Sequence, residues 1–303
     1  MAKGRFAHGP GFGYRRGAMS TQTLPPLHSQ PQTMELSSGL AHGARRHLAR
    51  ADLTEGLQRW RLACTLGWLD IRLRYRGSVL GPLWLTLSTG VMVGALGLLY
   101  STLFRMDLHE YLPFLALSLV LWNFVAALVG DACLTFTGAE GTIRSIRMPF
   151  TLYAVRVVVR NFLILAHNLL VVGVVFAIFR IWPGWHALLA LPAVLLWVVD
   201  CLACCLLLGA FCARFRDIPP IVGSVMQIGF FVSPVIWKPE LVKDGWWLPL
   251  NPFYTLLEVV RGPLLGTMPD GQVVASALAY SALLCVAAWV VFTRVRGRVA
   301  FWV

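Results

Sequence analysis

Apolar residues dominate this chain in long runs from about residue 79 onward, parted by short stretches that hold Arg, Asp, Gly and Pro. About 20 apolar residues at ~1.5 Å rise cross a ~30 Å hydrocarbon layer as a helix. The runs predict six membrane-spanning helices, over about Val79–Phe104, Tyr111–Phe136, Phe150–Phe179, Trp185–Cys212, Ile218–Trp237 and Val273–Phe292. Ahead of them, Leu53, Leu57, Trp60, Cys64, Trp68, Ile71 and Tyr75 recur at three- and four-residue steps, opposite Glu55, Arg59, Arg61, Asp70, Arg72, Arg74 and Arg76. That periodicity predicts an amphipathic helix over 51–77, lying along a membrane surface with tryptophans toward lipid. Residues 1–50 lack apolar periodicity and are rich in Gly, Pro, His, Ser and Arg. They read as a disordered basic cytoplasmic tail.

The fifth run has the most internal detail. Asp217 stands where a residue caps a helix, and Pro219 and Pro220 fit only a first turn. Gly223, Ser224 and Gly229 leave little side chain and suit close helix contact. Phe230, Phe231 and Trp237 gather toward the far end. The stretch 238–271 that follows is too apolar for a water-exposed loop. It predicts a re-entrant outer segment broken at Leu248-Pro249 and Asn251-Pro252, since such backbone is tolerated at membrane depth only where protein or a cavity covers it. The fold class is thus an all-α integral membrane protein, with 78–303 forming a six-span transmembrane domain.

Composition agrees: 57% of residues are hydrophobic and 13% charged, about half the usual charged share of a soluble domain. The net charge of +12 is distributed by topology and does not form a nucleic-acid face. With the N-terminus inside, 19 basic residues flank the cytoplasmic ends of the runs and 5 the opposite ends, so both termini are predicted cytoplasmic. The seven cysteines lie almost wholly in apolar runs and act as small hydrophobes, with no metal or redox pattern.

Charged side chains inside spans cost ~2.5–3.5 kcal/mol on insertion scales and mark function by default. Asp200, Arg156 and Arg160 are such residues, and an ion pair of Asp200 with Arg160 is the expected arrangement, a polar lining that meets substrate the alternative. Arg72, Arg74, Arg76, Arg214 and Arg216 stand at the predicted inner-leaflet surface, and guanidinium forks match phosphate oxygens. Topology alone would also place them there. Trp84, Phe230, Phe231 and Trp237 offer flat faces on which sugar rings stack, although aromatic residues also collect at membrane interfaces. Paired carboxylates, a Ser/His/Asp set and H-E-x-x-H are all missing from the sequence, which leaves enzyme chemistry little support.

Three spaced motifs carry a family resemblance. Arg74-Tyr75-Arg76-Gly77-Ser78-Val79-Leu80-Gly81-Pro82-Leu83-Trp84 resembles the start of the first span in ABC-type polysaccharide exporter permeases, the type-2 ABC permeases. Arg216-Asp217-Ile218-Pro219 with Ser233-Pro234-Val235 resembles that family's fifth span. Asn251-Pro252 with Arg261 and Leu264-Leu265-Gly266 resembles its outer re-entrant segment. The likeness runs from about Asp52 to Val303 and is nearest to the O-antigen (Wzm-like) permeases, with capsule and teichoic-acid exporters close behind.

The resemblance implies a homodimer in the bacterial inner membrane, paired with a nucleotide-binding ATPase subunit and exporting a lipid-linked polysaccharide. The sequence has no G-x-x-x-x-G-K-[ST] loop, so the chain binds no cofactor by that route, and ATP and Mg belong to the partner. The resemblance makes the loop 138–149 the coupling segment, with Glu140, Thr142, Ile143, Arg144, Ile146 and Arg147 as contacts to the ATPase. It makes Trp84, Gly223, Gly229, Phe230, Phe231, Trp237, Asn251, Pro252 and Arg261 channel or gate residues. A permease of the same architecture exporting a drug or small lipid is the nearest rival, and a membrane enzyme acting on lipid-linked sugar a more distant one.

Overall fold

A computed structural model describes residues 42–74, 76, 83–242 and 245–303. Among the described residues every regular element is helical. In chain order these are α1 (His42–Gln58), α2 (Trp60–Arg74), α3 (Leu83–Phe104), α4 (Leu108–Cys133), α5 (Glu140–Ser145), α6 (Phe150–Ile178), α7 (Ala190–Arg214), α8 (Ile218–Val232), α9 (Pro252–Leu264) and α10 (Gly271–Trp302). Short 3-10 turns at Thr137–Ala139, Gly184–Leu189, Pro239–Leu241 and Gly245–Leu250 join them.

Among the described residues five stretches are long and apolar enough to cross a membrane: Thr86–Phe104, α4, α6, Gly184–Arg214 and α10. The chain is therefore a multi-pass membrane protein. Helix α8 differs from the expected fifth span. It has 15 residues, about 22 Å of helix, and it stops at Val232, five residues short of Trp237. Pro234 is the reason: the residue before a proline is pushed out of the helical region, and Ser233 is extended at φ −88, ψ 148. Asp217 holds the N-cap position of α8, but its side chain makes no capping hydrogen bond there.

Helix α4 sits at the centre, packed on α3, α6 and α7, with α10 lying along α7. Its buried face includes Phe124, whose ring stacks on Trp197 of α7 at 5.3 Å. The Trp197 indole N–H in turn donates to the Leu256 carbonyl of α9 at 2.9 Å.

The N-terminal region departs from its expected form. Residues 1–41 of the expected tail lie outside the described residues, but from His42 the chain is already helical, and Arg59 interrupts it between α1 and α2. Both helices pack on α6, and the face they bury is a stripe of small residues: Ala49, Asp52, Gly56, Ala63, Gly67 and Ile71. A Cβ on Gly56 would come within 2.6 Å of Thr151 Cβ, so this crossing needs glycine. The apolar stripe, Leu57, Trp60 and Trp68, is exposed on the other side.

Asp52, 1% exposed, joins three helices. Pro149 at the N-cap of α6 has no capping side chain, and Asp52 serves from α1 instead. Its Oδ1 accepts from the Thr151 N–H (3.0 Å) and hydroxyl (2.9 Å), and its Oδ2 from the Phe150 N–H (3.2 Å). Arg296 of α10 adds its Nε to Oδ2 at 2.7 Å.

At the other end, Arg261 of α9 is 1% exposed. Its Nη1 donates to Ser118 Oγ of α4 at 2.8 Å and to the Pro234 carbonyl at 2.6 Å. Its Nε meets Glu258 at 3.0 Å, a second fork hydrogen reaches the same carboxylate, and the guanidinium lies 4.4 Å from the Phe114 ring centroid.

Two outcomes follow from these joints. Arg261→Met leaves Glu258 and the Pro234 carbonyl without their cation, a loss of about 3–5 kcal/mol. Its purified protein should melt well below wild type in detergent, and an unchanged melting temperature would contradict the joint. Asp52→Ala strips Arg296 and the first N–H groups of α6 of their acceptor, with a loss of about 3 kcal/mol. Limited proteolysis should then cut between α1 and α2 faster than in wild type.

Candidate functional site

The charged residues expected inside the membrane come together, but not in the expected pairs. Arg156 donates its Nε to Asp70 Oδ2 of α2 at 2.7 Å, with a second bond from its fork to the same carboxylate. Arg160 reaches Asp131 of α4 at 2.7 Å and Asp70 at 3.5 Å, and Asn161 donates to Asp131 at 2.8 Å. The expected pair of Arg160 with Asp200 does not form. Arg160 stands ten residues in from the start of α6 and Asp200 fourteen from the end of α7, which offsets them by about 6 Å of depth. Asp200 instead accepts from Ser281 of α10 at 2.7 Å, a bond that ties α7 to α10.

The partners Asp70 and Asp131 were the missing half of that network. Asp70 reads as part of the solvated face of an amphipathic helix. Only the knowledge that α2 lies along α6 turns it toward Arg156, and nothing in the one-dimensional pattern supplies that.

Helix α8 carries the outer candidates on two faces. Gly223 and Gly229 do not share one: six residues apart, they point about 240° around the axis from each other. Gly229 is buried, with Phe253 and Trp122 within 3.2 Å of where a Cβ would stand. Gly223 has no neighbouring atom within 4 Å. Ile221, Val225, Ile228 and Phe231 are exposed along α8, Phe231 at 62%. Helix α3 shows a similar bare surface, from Trp84 through Leu87 and Val91 to Leu98.

At the end of α8 the aromatics form a continuous set. Phe230 lies 5.7 Å from buried Trp122 and 5.2 Å from Phe231. The Trp237 indole donates to the Phe231 carbonyl at 3.2 Å and its ring lies 6.3 Å from Trp247. A cleft of about 410 Å³ is lined by Val225, Ile228 and Val232 of α8 with the rings of Trp247 and Phe253. Asn251 is a helix cap: its Oδ1 accepts from the Phe253 and Tyr254 N–H groups, and its Nδ2 donates to Ser233 Oγ at 3.0 Å. Pro252 occupies the first turn of α9. Asn251 and Arg261 thus hold the walls in position, and Arg261 has no surface from which to touch a passing chain.

The cytoplasmic candidates fall into separate groups. Helix α5 carries Glu140, Thr142, Ile143 and Arg144, with Ile146 and Arg147 just past its end. Arg144 pairs with Glu140 at 2.8 Å and holds the Val303 carbonyl of the α10 end at 2.6 Å. Ile146 is exposed and Ile143 half-buried against the core. Arg72 and Arg74 end α2 and Arg76 follows, all three exposed. Arg214 stacks over Phe215 and Trp302 at 5.6 and 5.7 Å, and Arg216 is exposed beside it.

The family model described as "ABC-2 type transporter" matches residues 61–265. Among curated proteins, "O-antigen export system permease protein RfbA" of Myxococcus xanthus is 27% identical over 239 residues, covering 76% of this chain and 91% of that protein. A protein of the same description from Klebsiella pneumoniae is 18% identical over 234 residues, covering 76% and 90%. The matched residues run from α2 through α9, and with the bundle described above they make this chain a member of the ABC-2 type transporter family.

Proposed function

We propose that the chain is the membrane-spanning subunit of an ATP-driven exporter carrying a lipid-linked polysaccharide, O-antigen being the best match, out through the bacterial inner membrane. The observation that carries this is the likeness, over three quarters of the chain, to permeases described as exporting O-antigen. The open aromatic end of α8 supports it: a chain of sugars needs stacking faces of low selectivity, and Phe231, Trp237 and Trp247 offer them.

Helix α8, with the turn at 233–236 beyond it, acts as the fifth of six crossings, and the 3-10 turn Gly245–Leu250 with α9 is the re-entrant segment. The arginine excess puts both termini in the cytoplasm. A separate ATPase subunit, using ATP and Mg, docks on α5 around Ile143 and Ile146. Two copies of the chain pair through the bare faces of α3 and α8, and the glycan passes between them. The lipid diphosphate arrives from the inner leaflet near Arg72, Arg74, Arg76, Arg214 and Arg216. Arg261, Asn251 and Pro252 set the position of the channel wall.

A strain lacking this chain should lose its surface polysaccharide ladder and accumulate lipid-linked glycan inside, both reversed by the wild-type gene. An intact ladder in that strain would overturn the reading. Ile228→Cys, on the bare face of α8, should give an oxidant-dependent band at twice the monomer mass in membranes. If only monomer appears while a cysteine on α3 also stays monomeric, these faces meet lipid and not a second copy.

A further inference from the structure

A small polar cavity lies where α2, α4 and α6 meet the turn that leads into α5. Its volume is about 180 Å³, room for several water molecules. Arg74, Arg160, Tyr153 and Asp131 line it with Thr135 and Gly138. We infer that this cavity binds a phosphate oxyanion, drawn from the head group of an inner-leaflet lipid or from free phosphate.

Three hydrogen-bond donors converge there unused. Tyr153 is 1% exposed, and its hydroxyl has no hydrogen-bond partner among the described residues; the same is true of Arg160 Nε. A buried donor without an acceptor costs about 1–3 kcal/mol, so an arrangement that keeps two at one cavity wall is built for something that accepts. Arg74, at the exposed end of α2, makes no hydrogen bond or ion pair among the described residues. It supplies a full guanidinium fork at the rim.

Charge points the same way. Arg74, Arg156 and Arg160 stand against the carboxylates of Asp70 and Asp131, which leaves one positive charge in excess. Asp131 is the one anionic group on the wall, and its Oδ2 is already engaged by Arg160 at 2.7 Å and Asn161 at 2.8 Å. A cation would add to that excess and leave the Tyr153 and Arg160 donors without an acceptor. An oxyanion neutralises it and accepts from all three donors in the charge-assisted mode that suits phosphate.

The location gives the site a consequence. Its far wall is the segment Leu134–Ala139, directly before α5. A phosphate held there bridges the interface helix to that segment, so head-group arrival bears on the position of α5. This consequence rests on α5 being the ATPase contact proposed above, whereas the binding itself does not.

The test is equilibrium binding to the purified full chain in detergent, with no ATPase and no transport. The probes are inorganic phosphate, phosphatidic acid and a polyprenyl diphosphate. Tyr153→Phe, which removes one oxygen and keeps the packing, and Arg74→Gln, at an exposed position, should each weaken binding of the retained probe about tenfold, the loss of one charge-assisted bond. Arg105→Gln, an exposed arginine in the turn after α3, should leave it unchanged. The probe that wild type retains identifies the source: the lipids support a head-group site, and inorganic phosphate alone supports a soluble-anion site. If wild type retains no probe, or both variants bind as wild type does, the inference fails. Should binding hold while the surface ladder survives deletion of the chain, only the polysaccharide reading falls.

Discussion

Backbone that leaves a helix inside an apolar medium must find new hydrogen-bond partners, because no water is there to supply them. This constraint governs the end of the molecule where α8 stops. Pro234 ends α8 early and frees the backbone from Ser233 to Trp237 within the protein. Two side chains meet that demand: Tyr111 donates to the Ile236 carbonyl at 2.5 Å and Arg261 to the Pro234 carbonyl, while Asn251 holds the Ser233 side chain at Oγ. Each comes from a helix other than α8. The break in α8 is consequently what fastens α4 and α9 to one another, and a buried guanidinium is tolerable there because Glu258, Ser118 and the Phe114 ring all serve it.

The same rule operates at the start of α6 with different partners. The first N–H groups of any helix lack partners within it, and Pro149 offers α6 no capping side chain. Asp52 supplies the acceptor from α1, and its charge is balanced by Arg296. The interface helices are thereby tied to α6 and α10 by a polar joint as well as by the small-residue crossing at Gly56 and Gly67. This explains how a pair of helices with their larger apolar residues turned outward can still be part of the folded unit.

These particulars show which features the sequence made legible. The apolar runs locate the long helices, because a spanning helix is recorded as an unbroken composition; α10 overruns its expected end at Phe292 by ten residues, through Arg294, Arg296 and Arg298 to Trp302. Asn251-Pro252 opens α9 where a break is expected, whereas Pro234, which ends α8, lies inside the expected fifth span. What stayed hidden depends on contact between distant elements. The packed face of α1 and α2 is written in Ala and Gly, which an apolar-periodicity reading passes over in favour of Trp60 and Trp68. The partner of Arg160 depends on which helix lies beside α6, and the sequence points to Asp200 where the fold supplies Asp131 of α4.

The glycines of α8 sharpen the point about function. Read as a run, Gly223 and Gly229 belong to one small-residue surface. On a helix they diverge, and their surroundings assign opposite tasks: Gly229 lets Phe253 and Trp122 approach the backbone, whereas Gly223 lies in the open among Ile221, Val225 and Ile228. A substitution at Gly229 is a packing defect within one copy of the chain. A substitution at Gly223 alters only what meets the exposed face. Since the closed-off side of α8 is clamped through Ser233–Ile236 to α4 and α9, its open side is held at a fixed angle to the aromatic cleft, so whatever packs on α8 also borders the cleft's mouth.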